Sequence, residues 1–313
     1  MGGLGDCVLF SPVLRALRAR YPNAMVELLA ASDLVEGLYS GCREVDRVSV
    51  IRTAELGSVG RVAALWRYAR RARSDGGFDV GVFATGLSPA WPVLLKSAAG
   101  IGLVARADVA AGEATDLACN TELAARFWGP ARKTGAFVPV AEEGLREADA
   151  ALRVGGHGPE HGGFMAVYVS VESARRRCWP VELLVEVAGS MKASFPGLRV
   201  VVIGAAEEGA AWRAADKDSV ADINLAGGLS IAGTAGLLSR SRLLLGNDGG
   251  PMHMGGAIGI RVVDIAPNVS VGYTPPGCRT VVMRSGDREC ARPDCGIPTA
   301  DVEAACRKLL NEE

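Results

Sequence analysis

The chain is predicted to be α/β, with a doubly wound parallel sheet built twice. Three observations predict this. Apolar runs of strand length alternate with segments of helical period along most of the 313 residues, and such alternation builds parallel sheets covered on both faces. Glycine-rich turns stand where apolar runs give way to helices, most clearly at Gly246-Asn247-Asp248-Gly249-Gly250. Near the middle, Val154-Gly155-Gly156-His157-Gly158-Pro159-Glu160-His161-Gly162-Gly163 breaks the pattern, and the alternation restarts beyond it. The expected domains are residues 1–154 and 164–313, joined by a linker over 155–163.

The first half opens abruptly. Gly2-Gly3-Leu4-Gly5-Asp6 reads as a strand-to-helix turn, yet the first N-terminal strand is missing from the sequence. Val8, Leu9, Val13, Leu14 and Leu17 then recur at helical spacing up to Arg20, and Pro12 is tolerable only near the first turns. Met25–Ala30 and Val45–Ile51 read as strands, and Val59–Arg73 as an arginine-rich helix. A strand over Asp79–Ala84, a helix near Ala90–Ala99 and a strand over Ile101–Val104 follow. Beyond Ala111 the pattern weakens to one helix near Leu117–Phe127, and Glu142–Leu152 closes the half as a helix. In the linker, five glycines and a proline argue against a helix, so His157 and His161 are expected to be solvated there.

The second half is more regular. Strands are expected over Phe164–Val171, Leu198–Ile203, Asp222–Leu225, Arg261–Ile265 and near Thr280–Met283, with another beginning at Leu243. Helices are expected over Val181–Phe195, Glu207–Lys217, Ile231–Ser239, from Pro251, and over Thr299–Leu310. In such folds ligands bind beyond the carboxyl ends of the strands, here in a cleft between the domains.

Composition narrows the function. With 49% hydrophobic and 22% charged residues the chain is globular, and a net charge of −1 gives no support to nucleic-acid binding. Residues 1–106 nevertheless hold 13 Lys/Arg against 9 Asp/Glu, a surplus of +4 gathered at Arg61, Arg67, Arg70, Arg71 and Arg73. That surplus fits a surface facing an anionic acceptor or membrane headgroups, or a plainly solvated helix face. Neither a signal peptide nor a membrane-spanning helix is expected, since Gly81–Ala105 contains Pro89, Pro92 and Lys96. Eight scattered cysteines predict reduced cytoplasmic thiols. Cys278, Cys290, Cys295 and Cys306 cluster without a CxxC pair or a nearby histidine, so no metal is expected.

Several residues can carry chemistry. A glycine turn before a helix opened by Pro251 suits a phosphate, because backbone N–H groups and the helix dipole converge there. The same pattern also fits an ordinary strand–helix crossover. His253 lies in the first turn of that helix, able to donate to a phosphate or simply to pack. Arg175, Arg176 and Arg177 follow a strand end and read as a diphosphate clamp or as surface charge. Glu207 and Glu208 follow Ile203-Gly204, where a carboxylate can bind a ribose diol or serve the helix dipole. Asp6 is either a helix cap or a general base.

These residues carry a resemblance. Gly5-Asp6 with Ser11-Pro12-Val13-Leu14-Arg15-Ala16-Leu17-Arg18, Ser173 through Trp179-Pro180, Val201 to Glu208, Asn224-Leu225-Ala226-Gly227, and Gly246-Asn247-Asp248 through Pro251-Met252-His253 occur in that order. In this the chain resembles the bacterial heptosyltransferases, glycosyltransferase family 9. The resemblance implies the GT-B fold, two Rossmann-like domains facing a central cleft. It also implies inverting, metal-independent transfer of a heptose from an ADP-sugar to a lipopolysaccharide-type acceptor, with no cofactor. By that likeness Asp6 is the base, Arg177 neutralises the departing diphosphate, Asp248, Gly249, Gly250 and His253 line the donor phosphates, and Glu207 or Glu208 holds the ribose. The implied partners are a nucleotide-sugar donor, ADP-heptose, and an anionic lipid-linked glycan. The protein is then expected in the cytoplasm, at the inner face of the inner membrane.

Three departures accompany the likeness. The family's first strand is absent before Gly2, which points to a truncated reading frame or a shorter fold. Gly249 stands where the family carries a hydroxyl residue, and Arg177 where it carries a lysine. Two other readings are compatible with the residues. One is a non-catalytic or degenerate sugar-nucleotide-binding protein, the other a GT-B nucleotide-sugar epimerase, for which a single histidine outside the linker is poor equipment.

Overall fold

The computed structural model describes residues 4–52, 56–83, 99, 101–106, 116–128, 135–157, 163–170, 178–267, 274–277, 279–285 and 294–312. The chain divides into two compact units, Met1–Ala136 and Phe137–Glu313.

In the first unit, α1 (Leu4–Arg20) is followed by β1 (Glu27–Ala30), α2 (Asp33–Tyr39) and β2 (Arg47–Val50), and then by α3 (Ser58–Ser74), β3 (Phe78–Phe83), β4 (Ile101–Arg106) and α4 (Asp116–Trp128). α1 begins earlier than its apolar period indicates, so Asp6 lies inside its first turn rather than at a cap. Pro12 sits within this helix and cannot bond the carbonyl of Val8. Ser11 supplies the missing donor, its Oγ donating to the Val8 carbonyl at 2.6 Å. Asn120 Nδ2 on α4 donates to the Leu9 carbonyl at 3.1 Å, tying the two helices together. α2, which the sequence reading lacks, is opened by Ser32, whose side chain accepts from the Leu34 N–H, with Asp33 and Glu36 in its first turn.

The described strands of this unit pair two by two. Among the described residues β1 pairs only with β2 and β3 only with β4, each pair parallel. The helix expected near Ala90–Ala99 falls almost wholly outside the described residues.

The second unit begins with α5 (Glu142–Val154) and β5 (Phe164–Tyr168). It continues through α6 (Val181–Ser194), β6 (Arg199–Ile203), α7 (Ala206–Ala215), β7 (Ile223–Asn224) and α8 (Ile231–Leu238). The remainder is β8 (Leu243–Asn247), α9 (Gly250–Ile258), β9 (Val262–Ile265), β10 (Thr280–Met283) and α10 (Thr299–Asn311). All six strands are parallel, in the order β10-β9-β8-β5-β6-β7. The apolar side chains of the central strands are fully buried: Met165 and Val167, Val200 and Val202, Leu243 and Leu245 lie in one core with Leu184, Val187, Met191 and Trp179. Cys295 and Cys306 belong to the same core, and burial pushes the Cys306 thiol up to about 12.

The boundary between units differs from the expected one. By its place before the glycines α5 is expected in the first half, but it packs on α8 so closely that a Cβ at Gly144 would lie 2.2 Å from the Ala232 carbonyl oxygen. Glu147 accepts from the Ser230 N–H at 2.6 Å, and Arg240 pairs with Asp149 at 2.8 Å. Even the start of the expected linker is bound here, where Arg199 donates to the carbonyls of Gly156 at 2.6 Å and Gly155 at 3.3 Å. His157 is buried, its ring edge-on to Phe164 at 5.5 Å, and not solvated as its glycine-rich surroundings predict. His161 lies outside the described residues.

Candidate functional site

In the sheet of the second unit, chain order reverses between β5 and β8: the chain leaves β5 toward β6 and β7, then returns to β8 on its other side. Crossovers on opposite sides leave a crevice at the carboxyl ends of these two strands, and ligands of doubly wound folds bind there. The residues at that point are Tyr168, which ends β5, and Asn247, which ends β8.

Asn247 is fully buried and acts as a clasp. Its Oδ1 accepts from the Trp179 N–H at 2.7 Å, and its Nδ2 donates to the Trp179 carbonyl at 3.0 Å. Trp179 is itself immobilised, its Nε1 donating to the carbonyls of Asp294 and Ile297 at 3.0 Å each. Trp179 is thereby held at the end of β8. Arg175, Arg176 and Arg177 fall outside the described residues.

Next to Asn247, the Asp248 N–H donates to the Ile265 carbonyl at 3.0 Å, and α9 starts at Gly250 with Pro251 in its first positions. The Met252 N–H turns back to the Gly249 carbonyl at 3.0 Å. The proline contributes no N–H, as suits a first turn. Gly249 has φ 168°, an extended backbone open to any residue, so conformation is not what requires glycine. Space requires it. A Cβ there would lie 2.7 Å from Tyr168 Cε1 and 3.0 Å from the Tyr168 hydroxyl.

His253 is buried at 4% exposure in the first turn of α9, and burial lowers its pKa to about 4. It is neutral near pH 7, so the 3.8 Å approach of its Nε2 to Asp248 Oδ1 is a polar contact and not an ion pair. Asp264 lies opposite Gly246 on β9, fully buried, and neither oxygen has a hydrogen-bond partner among the described residues. Burial first, then the charge of Asp248, hold its carboxyl well above the usual range.

Across β5, Glu207 and Glu208 separate in role. Glu207 is exposed in the first turn of α7. Glu208 is buried, its Oε2 accepting from the Ala205 N–H at 2.6 Å, and it also meets the Tyr168 hydroxyl. The strand order brings Glu208, Tyr168, Asp248, Gly249, Gly250 and His253 to the carboxyl edge of neighbouring strands. Asp6 belongs to the first unit. Sequence reasoning missed Tyr168, Asn247 and Asp264. The signal for two of them was a polar group inside an apolar strand, Tyr168 in Phe-Met-Ala-Val-Tyr and Asp264 in Val-Val-Asp-Ile.

A parallel doubly wound unit with a helix start at its switch point is the arrangement at which such folds bind ligands. Residues 103–296 match the model of glycosyltransferase family 9 (heptosyltransferase). The chain belongs to that family and is a glycosyltransferase. Its fold is shared with a family 9 glycosyltransferase from Veillonella parvula DSM 2008, at 16% identity over 100% of this chain and 96% of that one, TM-score 0.83. ADP-heptose lipopolysaccharide heptosyltransferase II of E. coli superposes at TM-score 0.76, with 19% identity, covering 99% and 96%. An E. coli heptosyltransferase with ADP gives TM-score 0.67 at 17% identity, covering 99% and 98%. No curated protein matches. Among the described residues no helix is long and apolar enough to cross a membrane.

Proposed function

We propose that the protein transfers a heptose or related sugar, with inversion, from an ADP-sugar to an anionic, lipid-linked glycan of lipopolysaccharide type. The observation that carries this is the seat at the β5/β8 switch point in a family 9 chain, where the α9 N-terminus, Asp248, Gly249, Gly250 and His253 converge. A related E. coli structure holds ADP, which supports a nucleotide-sugar donor of that kind.

Breaking the bond to a diphosphate builds negative charge on the leaving group. Helix N-terminal amides and the guanidinium of Arg177 stabilise that charge, so the reading needs no metal. Asp6 acts as general base toward the acceptor hydroxyl, worth about 10²–10⁴-fold. Glu207 or Glu208, exposed and buried neighbours in the first turn of α7, holds the ribose. Transfer then takes place in the cytoplasm, at the inner face of the inner membrane where such an acceptor is anchored. The exposed face of α3 supports that placement, since it carries Val59, Val62 and Trp66 and then Arg67, Arg70 and Arg73, without an acidic residue in the helix.

The test is ADP release from ADP-heptose and a deacylated core acceptor in the presence of EDTA. Turnover that Asp6→Ala lowers by about 10²-fold or more, with donor affinity kept, is the expected result. Donor binding without turnover would replace the transferase reading by that of a sugar-nucleotide-binding protein.

A further inference from the structure

Tyr168 is placed as no other described side chain of the second unit is. It ends β5, the strand at which the sheet order reverses, in register with Gly246 on one side and Ile203 on the other. Its ring lies against Gly249 closely enough to exclude a side chain there. Its hydroxyl lies beside the side chains of Ser170 and Glu208. One phenol thus touches the turn before α9 and the carboxylate that opens α7.

We propose that Tyr168 is a positioning residue of the donor seat: it holds the Glu208 carboxylate toward the ribose of a nucleoside diphosphate and keeps the turn at Gly249 bare for the phosphates. The proposal rests on the donor-binding reading above. Three features carry it. Glu208 is fastened at the start of α7 through the Ala205 N–H at 2.6 Å, and the Tyr168 hydroxyl adjoins it from the end of β5. At residue 249 the nearest heavy atoms beyond the chain neighbours all belong to Tyr168, so the phosphates meet backbone N–H donors and no side chain. Burial and the charge of Glu208 both raise the Tyr168 pKa, so the phenol remains a donor across the working range.

The test measures affinity of the full chain for ADP, 2′-deoxy-ADP and 3′-deoxy-ADP, together with donor KM and kcat. The native protein is expected to prefer ADP over one deoxy form by about tenfold, the worth of a charge-assisted hydrogen bond. Tyr168→Phe, which keeps the ring, should remove most of that preference and raise donor KM with little change in kcat, while Tm stays close to native. A purely structural role would move Tm and leave the ADP-to-deoxy ratio alone. Gly249→Ser should weaken ADP binding in the native background, and Tyr168→Ala should relieve that loss in the double variant. A Tyr168→Phe protein that discriminates as the native does would overturn the proposal. So would a native protein that binds ADP without discriminating, and there the donor reading survives. A native protein that binds neither ADP, UDP nor GDP would end both.

Discussion

At the scale of single residues, His253 sets a pH dependence with a definite sign. Its ordinary pKa of 6.5 falls to about 4 on burial, so the folded state resists protonation that the unfolded state accepts. Its contribution is complete above pH 6.5 and is lost as pH falls through that value toward about 4. The loss amounts to about 3 kcal/mol at most. Urea midpoints measured across this window should fall less steeply for His253→Gln than for the native chain. An identical slope would show that another group governs the acid limb. Ser11 offers a second expectation. Removing its hydroxyl leaves the buried Val8 carbonyl without the partner that Pro12 cannot supply, so Ser11→Ala should cost about 1–3 kcal/mol by denaturant unfolding. From sequence, Pro12 is only a tolerated oddity. Its remedy one residue earlier depends on a side-chain rotation that no pattern displays.

At the scale of elements, α3 shows what periodicity can and cannot deliver. Its helical span is readable from Val59 to Arg73, and its arginines are visible as a charge surplus. How they sort is not. Arg71 turns to the buried Glu27 at 2.9 Å, and Arg61 donates to the Leu56 carbonyl at 2.9 Å. Arg67, Arg70 and Arg73 stay exposed, beyond Val59, Val62 and Trp66 at 85%, 46% and 49% exposure. Aromatic and aliphatic groups followed by guanidiniums suit the boundary of an anionic bilayer. The protein should sediment with vesicles containing roughly one-third phosphatidylglycerol in phosphatidylethanolamine, each exposed arginine adding about 1 kcal/mol. Trp66→Ala and Arg70→Glu should each weaken that association, and neutral phosphatidylcholine vesicles should bind little. The segment that misleads is the glycine-rich one. Glycine and proline mark a break in regular structure, but they do not say which side owns the residues. Here Gly155 and Gly156 are held by Arg199, and α5 is held by α8.

At the scale of the whole molecule, the two units differ in how their strands are supported. Every described strand of the second unit lies in one six-stranded sheet over a continuous core, whereas those of the first form two separate parallel pairs. Opening free energy follows such connectivity. Amide hydrogens of β5 and β8 should exchange more slowly than those of β1 and β3, by about tenfold or more near neutral pH. Equal protection would mean that the paired strands of the first unit gain support the strand pairing does not reveal. The class of fold is legible because alternation of period is written along the chain. The turn that opens α9 is legible too, since glycines, Pro251 and His253 mark it. What surrounds that turn is not, because Tyr168 and Asp264 read as ordinary strand residues, and Asn247 as a turn residue, until β5, β8 and β9 are set side by side.

The contact between Tyr168 and Gly249 also constrains how this site can change over generations. A serine or threonine arriving at position 249 first meets an aromatic ring 2.7 Å from its Cβ and is penalised. The same substitution arriving after Tyr168 has become smaller meets an open space. Substitutions at the two positions should therefore be non-additive, a smaller residue at 168 easing a side chain at 249.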